Sequence, residues 1–191
     1  MRRIGLLVAV VLCAGGAALY AVRGEPDFVQ RIRYPLRYEQ IVTAHARNYD
    51  LDPALLAAVI YTESKFDPTA ESGAGAIGLM QLLPDTARGI ALRTGGARFV
   101  VADLYDPELN VRYGSWYVRN LLDRYGDERT ALAAYHAGQG NVNRWREQGV
   151  AVQFPGTRAY VARVEHAKEV YAHVYADELG LSSKGRAAPG G

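Results

Sequence analysis

The chain has 191 residues, 22 basic against 20 acidic side chains, 49% apolar residues and a single cysteine. That length suits one domain with a short appendage, the composition excludes wholesale disorder, and the lone Cys13 excludes a disulfide framework or a cysteine-built zinc site. A net charge of +2 provides no broad basic field, so no nucleic-acid partner is expected.

Met1, Arg2 and Arg3 precede an uncharged run from Ile4 to Val22 that Arg23 ends. Such a run can cross a hydrocarbon core of about 30 Å as a helix. The positive flank predicts a cytoplasmic N-terminus and an exported remainder. A cleaved signal peptide would have a shorter apolar stretch and small residues before the cut, which Tyr20, Val22 and Arg23 do not supply. Leu12 is also larger than the residue expected before a lipoprotein cysteine. The expectation for residues 1–23 is therefore a signal anchor, with residues 4–22 in the cytoplasmic membrane. A cleaved signal and a secreted or periplasmic protein are the alternative.

Residues 24–33 are polar, contain Pro26 and read as a linker. Residues 34–180 read as one mostly α-helical domain, and the Ser/Gly/Pro-rich residues 181–191 as a disordered tail. Tyr38, Ile41, Val42, His45 and Tyr49 share one helical face, with Pro35 as a possible opener. Asp52-Pro53 is an N-cap followed by a first-turn proline, and Leu55, Leu56, Val59 and Ile60 form the buried stripe behind it. Asp67 to Gln81 carries Pro68, Gly73, Gly75 and Gly78 and should be loop or a very short hairpin before a helix at Pro84. Asp106-Pro107 repeats the cap, with Leu109, Tyr113, Trp116, Tyr117 and Leu121 as the stripe of a helix running to about Tyr125. Glu128 to Ala137 is helical and ends at Gly138, Val142 and Trp145 mark a short helix, and Thr157 caps a last long one. That last helix carries Tyr160, Val164, Tyr171, Val174 and Tyr175 on one side.

Glu63 follows Val59 by four residues and Ile60 by three, so it shares their apolar face near the end of its helix. Partial burial and the negative end of the helix dipole both disfavour its charged form and raise its pKa. A raised carboxylic acid can hold a proton for a leaving oxygen near neutral pH. On periodicity alone, a surface glutamate paired with Lys65 or an arginine is the favoured reading. No second carboxylate stands out: Asp52 and Asp106 read as caps, and Asp67, Glu71 and Asp85 as loop residues. HExxH and P-loop patterns are absent, so neither metal nor cofactor is expected.

The stretch from Glu63 to Ala87, ESKFDPTAESGAGAIGLMQLLPDTA, resembles the signature of the soluble-lytic-transglycosylase-type (goose-lysozyme-related) family of murein-cleaving enzymes. Ala133 to Trp145, AAYHAGQGNVNRW, is similar to that family's AYNAG block, and Thr157 to Val161, TRAYV, to its ETRxYV block. The resemblance implies a lysozyme-like helical fold with a glycan-binding cleft, acting in the bacterial cell envelope on peptidoglycan strands. It makes Glu63 the single catalytic acid and Ser72, Gln81 and Leu83 substrate-binding positions. Tyr135 matches a tyrosine that orients the catalytic carboxylate, and Tyr160 one that lines the cleft. His136, Leu83 and Gly156 depart from the family's usual asparagine, methionine and glutamate. The implied reaction is non-hydrolytic cleavage between N-acetylmuramic acid and N-acetylglucosamine, leaving 1,6-anhydromuramoyl ends. Hydrolysis by water on the same fold and an inactive murein-binding scaffold are the alternatives.

Overall fold

The computed structural model describes residues 25–182, so the Ile4–Val22 run and residues 183–191 of the tail lie outside it. Among the described residues no helix is long and apolar enough to cross a membrane. The chain divides into two units after Pro35. In the first, the segment expected to be a linker carries a short helix, α1 (Asp27–Arg33). Pro26 sits at its N-cap, and Arg33 pairs with Glu25 at 2.7 Å.

The second unit is helical, with only isolated β-bridges at Glu71–Ile77 and Ile77–Leu82 among its described residues. Its helices are α2 (Glu39–Asn48), α3 (Pro53–Ser64), α4 (Pro84–Thr94), α5 (Pro107–Tyr125), α6 (Glu128–Ala137), α7 (Gln139–Glu147) and α8 (Pro155–Val174). A 3-10 turn, Val101–Tyr105, precedes α5. Proline opens four of these helices, where its missing N–H costs nothing and its fixed φ already suits the first turn. The Asp52 and Asp106 carboxylates accept the Ala54 and Leu109 N–H groups at 2.8 Å, as their spacing predicts.

Three expectations are corrected. Pro35 does not open α2, which begins at Glu39 after Tyr38 turns the chain through a left-handed conformation. Thr157 does not cap α8, because Pro155 sets its start two residues earlier and buries Thr157 inside the helix. On α5, Tyr113 and Leu121 are buried as expected, but Leu109, Trp116 and Tyr117 are half-exposed. The deep face of that helix instead includes Asn110, Gly114 and Ser115.

The core centres on α3, buried on every side from Ala54 to Tyr61, as expected of a helix apolar all round. Its main partner is α8, where Tyr171 packs against Tyr61 and Phe66 at ring separations of 6.1 and 6.3 Å. Helices α5, α6 and α7 pack in succession, while α2 bridges α3 and α5. Lys168 on α8 pairs with Glu128 at 2.7 Å and Asp52 at 3.4 Å, tying the starts of α6 and α3 to the last helix.

The segment between α3 and α4 is pinned from outside itself. Asn110, fully buried on α5, accepts the Met80 N–H at 2.8 Å and donates to the Ile77 and Leu104 carbonyls at 2.9 and 2.8 Å. Ser64 donates to the Leu79 carbonyl at 2.8 Å. Two glycines let the segment sit this close. A Cβ on Gly78, whose φ is +81°, would meet Asn110 at 2.3 Å, and one on Gly114 would meet the Met80 sulfur at 2.2 Å. Replacing Asn110 by alanine strands three buried backbone groups. Asn110→Ala should therefore lower unfolding stability by on the order of 3 kcal/mol, read from urea midpoints at constant slope.

Candidate active site

Glu63 lies in the last turn of α3, half-buried, one residue before the helix ends. The exit is sharp because Lys65 and Phe66 both take positive φ, 55° and 64°, which side chains other than glycine adopt reluctantly. Burial of Phe66 against Tyr171 holds that turn. The Lys65 ammonium lies 3.6 Å over the Tyr61 ring, away from the surface pairing with Glu63 that periodicity alone permits.

Burial raises the Glu63 pKa to about 7, against the smaller opposing pulls of the Tyr160 hydroxyl and the Arg163 guanidinium. Tyr160, on α8, is buried, and its hydroxyl has no partner at full hydrogen-bond geometry. The Glu63 carboxyl is nonetheless near enough to interact with it. Burial and then the Glu63 charge hold the Tyr160 hydroxyl well above the usual phenol range. Tyr135, on α6, is half-buried with its hydroxyl at the deep end, where it donates to the Met80 carbonyl at 2.6 Å. Burial and the Glu63 charge raise this phenol as well. Glu63, Tyr135 and Tyr160 therefore converge from three helices that the sequence separates widely.

The other predicted positions belong to the pinned segment. Ser72 is exposed, and its Oγ accepts the Ala76 N–H at 3.0 Å, which closes a turn and leaves the hydroxyl proton available to donate. Gln81, at φ 46°, spends its amide donors on the Ala70 and Gly78 carbonyls at 2.9 and 3.2 Å. Its remaining capacity is that of an acceptor. Leu83 is an apolar side chain left 44% exposed at the N-cap of α4. The loop carboxylates that did not stand out as a second acid are committed elsewhere: Asp67 accepts from the Thr69 backbone and hydroxyl at 2.8 Å, Glu71 accepts from the Tyr105 hydroxyl, and Asp85 pairs with Arg88 at 2.6 Å.

His136 packs its ring on Tyr160 at 4.5 Å and shares a 3.1 Å hydrogen bond with the Thr157 hydroxyl. Burial, with Arg163 nearby, lowers its pKa. Asn110 and Ser64 are the residues that sequence reasoning missed, and Thr157, read there as a cap, instead partners His136. A signal existed for Asn110, which sits three before Tyr113 and four before Gly114 on a buried helical face, where a polar residue demands partners.

A desolvated carboxyl flanked by tyrosine hydroxyls at a helix end has the electrostatic marks of general acid–base chemistry. The family model described as the transglycosylase SLT domain matches residues 40–153, and the chain belongs to that family. A transglycosylase of Enterobacteria phage PRD1 is 43% identical over 108 residues, 56% of this chain and 37% of the phage protein. The soluble lytic murein transglycosylase of Salmonella typhimurium is 32% identical over 168 residues, 79% of this chain and 25% of that one. Among solved structures, the lytic transglycosylase Slt of Pseudomonas aeruginosa, determined as an inactive glutamate-to-glutamine mutant, matches with a TM-score of 0.68 at 30% identity. That match covers 74% of this chain and 25% of Slt. The chain thus spans well under half the length of these relatives.

A carboxyl whose pKa rises from 4.5 unfolded to about 7 folded binds its proton more tightly in the folded state. Its contribution to stability is complete below about pH 4.5 and is lost as pH rises through about 7. Between pH 5 and 8 the parent should lose on the order of 2 kcal/mol relative to Glu63→Gln, seen as diverging urea midpoints.

Proposed function

We propose that this chain is a peptidoglycan lytic transglycosylase in which Glu63 serves first as acid and then as base. The observation that carries the reading is the Glu63 carboxyl itself, buried to a pKa of about 7 with each carboxylate considered as its partner engaged elsewhere. Protonated Glu63 gives its proton to the oxygen joining N-acetylmuramic acid to N-acetylglucosamine, and the C1–O bond breaks. The N-acetyl group of the substrate stabilises the positive charge at C1. The Glu63 carboxylate then removes the proton from the C6 hydroxyl, whose oxygen bonds to C1. No water is consumed, and Glu63 ends with the proton it began with. A pair of enzyme carboxylates, which glycosidases generally require, is unnecessary when the substrate supplies its own nucleophile.

In this reading Ser72, Gln81, Leu83, Tyr135 and Tyr160 border the bound strand. Ser72 offers a hydroxyl donor, Gln81 an amide acceptor and Leu83 an apolar contact for a sugar face. Glu63→Gln should lower turnover by about 10³-fold, while kcat/KM of the parent should fall above about pH 7 as the acid ionises. Mass spectrometry of products from purified murein should show anhydromuramoyl ends. Reducing ends instead would make the enzyme a hydrolase, and a fully active Glu63→Gln would remove Glu63 from the reaction.

The uncharged Ile4–Val22 run behind Arg2 and Arg3 supports placement in the cytoplasmic membrane with the catalytic unit outside, where murein lies. The full-length chain should then fractionate with membranes. Complete recovery in the soluble extracytoplasmic fraction would mean that the run is cleaved.

A further inference from the structure

None of the seven residues of α1 is buried. So short a helix is marginal in water, because a few hydrogen bonds cannot offset the cost of starting it. Pro26 at its N-cap adds no side-chain hydrogen bond. A surface that takes up one face of α1 would hold it better than its own sequence does.

Such a face is present. Phe28 and Ile32, 66% and 79% exposed, stand one turn apart on the same side of the helix. Val29 widens the apolar arc, Arg31 and Arg33 fall on its two flanks, and Gln30 lies opposite. Single exposed apolar side chains are ordinary on a protein surface. Two large ones in register, on a helix that buries nothing, are not explained that way.

The preceding chain determines what can reach this face. The uncharged run ends at Val22, and only Arg23, Gly24, Glu25 and Pro26 separate it from Asp27. Five extended Cα steps span at most about 17 Å. With the run in a bilayer, α1 therefore stays at the edge of the lipid headgroups, whichever way the intervening residues turn.

We propose that α1 lies flat in the headgroup layer of the phospholipid membrane, with Phe28 and Ile32 turned toward the acyl chains and Arg31 and Arg33 level with the phosphates. This placement rests on the Ile4–Val22 run being in the membrane. An apolar arc rimmed by arginines suits that interface, because the aliphatic stems follow the acyl boundary while the guanidinium groups stay with the phosphates. Seven residues alone would bind lipid weakly. Covalent attachment to a membrane run makes the contact intramolecular, at an effective concentration on the order of millimolar. A second copy of the chain is a poorer occupant, since a stable interface takes about 20 residues from each side. Only Tyr34 and Pro35 lie between α1 and the start of the second unit at Leu36. A seated α1 thus shortens the tether of the catalytic unit and confines it to murein near the membrane.

The test uses the full-length chain reconstituted in vesicles of phosphatidylethanolamine and phosphatidylglycerol, with Cys13→Ala removing the native thiol. An environment-sensitive nitrobenzoxadiazole label is attached at one new cysteine, Ile32→Cys on the apolar arc or Gln30→Cys opposite it. Lipids carrying a nitroxide high on the acyl chain should quench the label at position 32 about threefold more than the label at 30, and aqueous iodide should show the reverse order. Flotation of the same vesicles reads the membrane run separately. Protein that floats while both labels are equally open to iodide overturns the seating of α1 and leaves the membrane run in place. A label at 32 shielded from iodide yet untouched by the lipid nitroxide means that protein covers the face, which also overturns it. Protein that does not float removes the membrane run and the seating of α1 together.

Discussion

The architecture of the candidate site depends on one buried side chain, Asn110, and the three backbone groups it holds at Ile77, Met80 and Leu104. The segment from Lys65 to Leu83 has little regular structure of its own, so its peptide groups need partners from outside. Asn110 supplies them from α5, Ser64 from α3 and Tyr135 from α6. The segment thereby ties α3, α5 and α6 together at the end of α3. The glycines at 78 and 114 are part of the same constraint, because any Cβ at either position would occupy space already filled by Asn110 or Met80.

That spacing gives Glu63 two unequal tyrosine neighbours. The Tyr135 proton is engaged by the Met80 carbonyl, so toward Glu63 its oxygen can only accept, which favours the protonated acid. The Tyr160 hydroxyl has no such engagement and can donate, which favours the carboxylate. Burial is the larger influence and keeps the resting balance near neutrality. In the proposed reaction Glu63 must exist in both forms in succession, and each form then has a neighbour suited to it. His136, in place of the asparagine usual in the family, supports Tyr160 from its ring face while bonding Thr157 one turn earlier on the same helix. The substitution therefore leaves the donor in place.

Much of the helical frame was legible in the chain because the signals were local. Asp52-Pro53, Asp106-Pro107 and Gly138 each carry a cap or a stop in their own covalent geometry, and the structure places helix ends there. Pro35 and Thr157 were misleading for the same reason: each has the right local chemistry, but a left-handed Tyr38 and the fixed φ of Pro155 moved the boundaries. The convergence of Glu63 with Tyr135 and Tyr160 could not be read from spacing, since 72 and 97 residues of chain (135 − 63 and 160 − 63) separate them. Only the resemblance of three separate blocks suggested it. The pinning role of Asn110 was hidden because its partners are backbone groups, which leave no trace in residue identity.

The exit of α3 shows what this arrangement costs the fold. Lys65 and Phe66 adopt left-handed conformations without being glycine, and an acid sits where burial resists its charge. Neither feature survives unless the surroundings are stiffer than the strain is strong. The stiffness comes from α3 being buried on all sides and from the Tyr61, Phe66 and Tyr171 cluster that locks it to α8. The same α8 carries Tyr160, so the contact that holds the strained turn also fixes a hydroxyl beside the acid. A softer α3–α8 interface would let Glu63 swing toward water and ionise, which would stabilise the chain at neutral pH while removing the raised acid on which the proposed chemistry depends.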